Sequence, residues 1–366
     1  MTTMERDPFA AFTRFVETQA RLAEAARQLA VTRDRDVEIA TTPKTEVMRI
    51  GDKVLYHCAA PAGPRPRPPV LVAYALVGAY TVLDLQPDRS FLGALVDNGF
   101  DVYVIDWGRP NRACRFDDLG DYVDGYLDRF VDAVRDDAGE DRINLLGLCQ
   151  GGLLSLCHAA LFPEKIRNLI LCVTPVDFHG DKLENHPGRG FMNVWARSLE
   201  AADIDLMVET MGNIPGEIGG TAFNLMTPMR SLAKYNLTLI EASQDERRLM
   251  NFLRMEKWLA DKPAHAGAAA RQWLNDLYRE NRLVKGTFTV GDRRVDLSRV
   301  TMPVLNVYTD TDHIIPPAMT KALGRYVGST DYSEFVARGG HIGIMVAAGS
   351  ARRALHEKIA GWVAER

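Results

Sequence analysis

The spacing of apolar positions changes several times along the chain. In residues 9–30, Phe9, Phe12, Val16, Ala23, Ala26 and Leu29 recur at helical intervals with Arg and Glu between them, which predicts an amphipathic helix. Such a helix serves either as an arm packed on its own domain or as an element that binds a partner. A stiff proline-rich loop, "PAGPRPRPP", follows at 61–69. Four short apolar runs come next: "VLVAYALV" (70–77), "DVYVIDW" (101–107), "INLLGL" (143–148) and "IRNLILCV" (166–173). Near-continuous apolar runs of this length read as strands buried on both faces. Helical patterns at 92–100, 118–139 and 150–161 separate them. Strands alternating with helices predict a parallel sheet with both faces covered.

The alternation stops after residue 178. Residues 179–300 carry helical patterns, loops, three of the five tryptophans and many methionines. A strand returns in "MPVLNVYTD" (302–310), then a helix at 317–327, a short strand and loop at 332–341, and a last helix at 349–364. A mostly parallel sheet with helices on both faces, interrupted and then resumed, is the layout of an α/β-hydrolase fold with a helical cap insertion. The expected organisation is an N-terminal helical arm (1–40), a first core part (41–178), a cap (179–300) and a second core part (301–366).

Composition narrows the function. Of 366 residues, 46% are hydrophobic and 25% charged, with a net charge of −4, as in an ordinary globular protein. No basic stripe points to nucleic acid, and no apolar run is long enough to span a membrane. Charges run through the N-terminal stretch that would have to be an apolar signal core, so a cytoplasmic protein is expected. The five cysteines are odd in number and lack zinc-type spacing, which fits free thiols in a reducing compartment. Cys58, Cys157 and Cys172 lie in apolar surroundings and read as small buried hydrophobes.

Cys149 stands apart. "GLCQG" (147–151) follows a strand pattern and opens a helix, the shape of a nucleophile elbow with a thiol in place of a hydroxyl. The helix start offers unpaired N–H groups and the positive end of a dipole, both of which favour a thiolate. A thiol nucleophile needs a base, and the base an orienting acid, in the chain order nucleophile, acid, histidine. His341, after "ARGG" near the C-terminus, is where this fold places its base. "YTDTDHIIPP" offers Asp310 and Asp312 as the acid, and their spacing of two does not separate them. His313 reads as a supporting residue. The oxyanion donors expected are the backbone N–H groups of Gln150, after the nucleophile, and of Val77, after the first buried strand.

These residues resemble the polyhydroxyalkanoate synthases. "GLCQGG" is similar to that family's lipase-like box with cysteine replacing serine, "TDHIIPP" to its acid motif and "GGHIG" to its histidine motif. "YTVLDLQPDRS" (80–90), "VYVIDWGRP" (102–110), "FNLMTP" (223–228), "NFLRMEKWLADKP" (251–263) and "WLNDLYRENRLVKG" (273–286) carry the likeness through core and cap. The resemblance favours Asp312 as the acid. It implies a polymerase that joins (R)-3-hydroxyacyl-CoA units, 3-hydroxybutyryl-CoA foremost, into a polyester. The acyl group would pass through a thioester on Cys149, with CoA as product and with no cofactor or metal. The short chain resembles the two-component types. These act with a companion subunit, PhaE or alternatively PhaR, as a homodimer within a hetero-oligomer at the surface of cytoplasmic polyester granules. A cysteine hydrolase of the dienelactone-hydrolase or thioesterase type is the alternative reading.

Overall fold

The computed structural model describes residues 32–58, 69–183, 188–226, 239–242 and 245–366, together with isolated helical positions between 9 and 27. The proline-rich stretch 61–68, His186 and part of the 223–228 motif lie outside the described residues.

Eight strands form one twisted sheet in the order β1-β2-β4-β3-β5-β6-β9-β10. They are β1 (Lys44–Ile50), β2 (Lys53–Cys58), β3 (Val70–Ala73), β4 (Val102–Asp106), β5 (Ile143–Leu148), β6 (Ile166–Cys172), β9 (Val304–Tyr308) and β10 (Tyr332–Val336). The six strands from β4 to β10 in the sheet run parallel, whereas β1 and β2 are antiparallel to each other and β2 to β4. A separate two-stranded hairpin pairs β7 (Thr289–Val290) with β8 (Arg293–Arg294).

The central strands are apolar throughout because alternate residues feed different cores. Leu71, Tyr103, Ile105, Leu145 and Leu169 pack on one face with the helix Gln150–Leu161. Val70, Val72, Val102, Val104, Leu146 and Ile170 pack on the other with the helices Phe91–Asp97 and Gly349–Ala364. Every residue of the helix Gln150–Leu161 is buried, which is why it shows no polar stripe.

Chain order reverses around β3, which lies between β4 and β5 although it precedes both in sequence. The carboxyl ends of strands at such a point form a crevice where open α/β sheets bind ligands. Here β3 opens into residues 74–79 and β5 into Cys149.

Between β6 and β9 the chain leaves the sheet. It forms the helices Phe191–Ser198, Ala201–Met211, Gly216–Met226, Glu246–Ala260 and Gly267–Gln272, then a π-helical turn, Trp273–Arg279. It rejoins the core before the sheet resumes: Leu283, Phe288, Val290, Val295, Leu297 and Val300 are buried in the same cluster as the elbow helix. The N-terminal segment behaves differently. Its described positions between 9 and 27 are helical, and Phe9 (81%), Phe12 (65%) and Val16 (48%) present their side chains to solvent.

Candidate active site

The elbow is built by close backbone approach. Cys149 takes φ +55° and ψ −122°, a strained conformation for any residue with a Cβ. Surrounding contacts over-determine it. Cys149 N–H donates to Cys172 O at 3.0 Å, and Cys149 O accepts from Gly152 N–H and Leu153 N–H. A Cβ on Gly147 would lie 2.4 Å from Gly152 Cα, and one on Gly151 would lie 2.2 Å from Ala73 O. The glycines of the motif are thus required by contact with β3 and the helix itself.

Asp312 and His341 come together at the carboxyl edge of the sheet, from the loops after β9 and β10. His341 Nδ1 lies 2.7 Å from Asp312 Oδ2, with both side chains almost wholly buried. The other carboxylate oxygen, Oδ1, accepts from Ile314 N–H (2.9 Å) and Ile315 N–H (2.8 Å). Thr311 Oγ1 donates to Gly339 O across the two loops, at 2.9 Å. An ionised carboxylate only accepts, so Nδ1 carries the proton and Nε2 is the nitrogen left for the nucleophile. Asp310 is exposed, and of the two carboxylates the sequence pattern leaves open it is Asp312 that contacts His341. His313 is half-buried beside the acid.

Electrostatics link these two residues to the thiol. Burial alone would lower the His341 pKa, but the Asp312 and Cys149 charges, with hydrogen bonds to both, outweigh it and raise the group to about 10. An imidazolium is therefore favoured at neutral pH, which is the partner a thiolate needs. The other buried thiols contrast with this. Burial pushes Cys58, Cys157 and Cys172 up to about 12, leaving them protonated and unreactive.

The two expected oxyanion donors also meet, in an arrangement the sequence does not suggest. Gln150, as the first residue of its helix, has an N–H with no acceptor inside the helix. Its side chain reaches back to β3: Gln150 Oε1 accepts from Leu76 N–H (3.1 Å) and Val77 N–H (3.2 Å). The Val77 amide thus faces the elbow, but its hydrogen is engaged by the Gln150 carboxamide. Trp107 Nε1–H donates to Tyr74 O at 2.9 Å and anchors the start of the same loop.

Two further residues border the thiol. Tyr74 and Tyr278 are buried, which pushes both phenols up, and the charge of Cys149 adds to the rise in each. Tyr278 belongs to the insertion, wedged edge-on against Phe178 at 4.9 Å between ring centroids, with Trp273 at 6.4 Å. Its place beside the elbow has no signature in sequence. Tyr74 does have one, since it directly follows β3 in the apolar run that leads to Val77.

The remaining described histidines have structural partners. His57 meets Asp101, His158 meets Asp128, His179 meets Arg279 O, His265 pairs by backbone with Ile214 and His356 meets Arg352 O.

The fold and the elbow together define a class. The chain is an α/β-hydrolase-fold protein, and that family matches residues 68–348. A soluble variant of monoglyceride lipase from Saccharomyces cerevisiae shares the fold, with a TM-score of 0.55 at 11% identity over 90% of this chain and 96% of that one. Within the class, the relatives are specific. The poly(3-hydroxyalkanoate) polymerase subunit PhaC of Synechocystis is 44% identical over 90% of this chain and 86% of its own length. That of Allochromatium vinosum is 41% identical over 90% of each. The chain belongs to the poly(3-hydroxyalkanoate) polymerase PhaC family.

Proposed function

We propose that this protein polymerises 3-hydroxyacyl-CoA into polyester, through an acyl thioester on Cys149. The observation that carries the reading is a strained elbow bearing a thiol within electrostatic reach of a buried His341–Asp312 pair. His341 holds the proton that leaves Cys149, and Asp312 orients the imidazole and balances its charge. The thiolate attacks the thioester carbonyl, and the amides of Gln150 and Val77 receive the oxyanion once the Gln150 carboxamide releases or shares the Val77 hydrogen. The C–S bond to CoA breaks, and the departing thiolate takes the proton from His341. A hydroxyl group then gives its proton to His341 and attacks the acyl-Cys149 carbonyl. An ester forms and the Cys149 thiolate leaves.

Sulfur suits a polymerase. Exchanging one thioester for another costs little free energy, and the acyl group stays activated until the next hydroxyl arrives. Water is the competing nucleophile, and the helical part of residues 179–300 acts as a cap against it, with Tyr278 beside the thiol and Trp273 packed on Tyr278. Incubation with 3-hydroxybutyryl-CoA, following free CoA and turbidity, tests the reading. CoA with insoluble polymer supports it, whereas CoA with free 3-hydroxybutyrate would mean a hydrolase.

The companion subunit belongs to the same proposal. Phe9, Phe12 and Val16 present an apolar helical face to solvent, and this face docks a PhaE-type subunit (PhaR being the alternative) in an assembly at the granule surface. Removing residues 1–30, which leaves the Asp34 contact with Lys257 intact, should weaken capture of the companion at least tenfold with little change in melting temperature. Unchanged capture would rule the face out.

A further inference from the structure

The loop that carries Val77 is held on three sides, and one hold comes from the insertion. Trp107 fixes its start at Tyr74 O, and the Gln150 carboxamide fixes Leu76 and Val77. The third hold is Trp258, on the helix Glu246–Ala260, whose Nε1–H donates to Ala79 O at 2.9 Å. Its ring lies over Gly78, where a Cβ would meet Trp258 Cζ2 at 3.6 Å. On its other side Leu76, Gly78 and Ala79 line a cavity of about 300 Å³ bordered by Arg49, Asp52, Asp106 and Arg109. The packing of Tyr74, Ala75, Leu76 and Tyr80 in the core holds the loop's ends, and these hydrogen bonds fix the backbone at Leu76, Val77 and Ala79.

The Trp258 helix is itself tied down by polar contacts. Arg254 Nε–H donates to Glu38 O at 2.9 Å and its NH1 group to Gln86 Oε1 at 3.2 Å. Lys257 Nζ reaches Asp34 O at 2.9 Å. Asp261, just past the helix, pairs with Arg109 from the loop after β4. Trp258 is thus an indole on a braced helix, with its single donor spent on the oxyanion loop.

We propose that Trp258 is a positioning residue for the oxyanion hole: its indole N–H, supplied by the insertion, holds Ala79 so that the Val77 amide faces the Cys149 carbonyl-binding position. This rests on the reading of Val77 as an oxyanion donor. It makes the site's competence depend on the seating of the insertion as well as on the triad. An insertion lifted from the core would leave the thiol in place and loosen the donor.

The test is Trp258→Phe, which keeps an aromatic ring and removes the donor. Acylation by 3-hydroxybutyryl-CoA, read as the first-turnover release of CoA from the full chain, should slow at least about tenfold, since outright removal of an oxyanion donor costs about 10²–10³. Alkylation of Cys149 by iodoacetamide, followed on its own peptide by mass spectrometry, needs no oxyanion hole and should stay within about twofold. Hydrogen exchange in the peptide over residues 74–80 should accelerate about tenfold, while that over the helix Gln150–Leu161 stays unchanged. Acylation and alkylation falling together would overturn the proposal, as would unchanged exchange at 74–80. The exchange measurement decides the point even if the chain proves not to be acylated, so failure of the polymerase reading remains distinguishable.

Discussion

Cys149→Ala is expected to abolish both acyl labelling and CoA release, with a fall in turnover of about 10⁶, the loss seen when a covalent nucleophile is removed from an intact site. No other thiol is placed to substitute. Cys58, Cys157 and Cys172 are fully buried, and burial holds all three protonated; Cys114, the remaining one, is half-buried in the 3-10 turn Arg112–Phe116. Cys149→Ser should be a poor replacement. A serine hydroxyl is a far weaker acid than a thiol, so its proton is harder to pass to the His341 imidazole as attack begins. The measurement is radiolabelled acyl transfer to the protein in parallel with CoA release. Polymer formed by the alanine variant would end the covalent reading.

Asp312→Asn should leave the fold intact and lower turnover by about 10⁴, the loss found when the orienting carboxylate of a triad becomes an amide. The reason is visible in its bonds. Asp312 Oδ1 is satisfied by two backbone amides and Oδ2 by His341, so the change removes charge and acceptor at one point. A second readout separates orientation from packing. The raised His341 pKa depends on the Asp312 charge, so the histidine's titration midpoint, followed by NMR, should fall in the variant. Stability follows with a definite sign. A group whose folded pKa is raised contributes stability that is complete below its unfolded value, about 6.5, and is lost as pH rises through the folded value, about 10. The thermal advantage of the native protein over Asp312→Asn that stems from His341 should therefore hold at pH 6 and shrink toward pH 10. An advantage that grows with pH would contradict the arrangement.

Much of this architecture is legible in the chain because the central strands are buried on both faces. That makes β3, β4, β5, β6 and β9 read as apolar runs, and the intervening helices show their own period. The first hairpin is not legible in the same way. Strand β1 alternates irregularly between exposed and half-buried positions, and its partner β2 buries a lysine, Lys53, beside Asp52. The turn between them, Gly51-Asp52 with Gly51 at φ +63°, repeats in Gly291-Asp292 of the β7–β8 hairpin with φ +55°. A glycine in that conformation before an aspartate is the one local signal both hairpins offer.

The site divides along similar lines. Cys149 and His341 follow from local shape, since an elbow and a glycine-flanked loop can be recognised without knowing what lies opposite. The choice between Asp310 and Asp312 cannot be made from spacing, because the loop after β9 leaves the extended conformation. The fold buries Asp312 against His341, which supports it as the acid. Trp258 and Tyr278 are separated from the elbow by more than a hundred residues of chain, and hydrophobic pattern alone gives them the same meaning as any packed aromatic. The elbow motif assigns Gln150 a backbone role only. Its side chain's grip on Val77 depends on how closely β3 passes the helix, which the missing Cβ of Gly151 permits.

The pairing of β6 with β9 has a consequence for how the protein is made. Leu169 lies opposite Val304, so the sheet closes only after the whole insertion has been synthesised and threaded aside. Contacts of such long sequence separation form late, since loop closure must precede them. A nascent chain that ends before β9 holds the thiol on its elbow but neither the acid nor the base. The Asp312–His341 pair therefore assembles beside Cys149 only once β9 and β10 have joined the sheet.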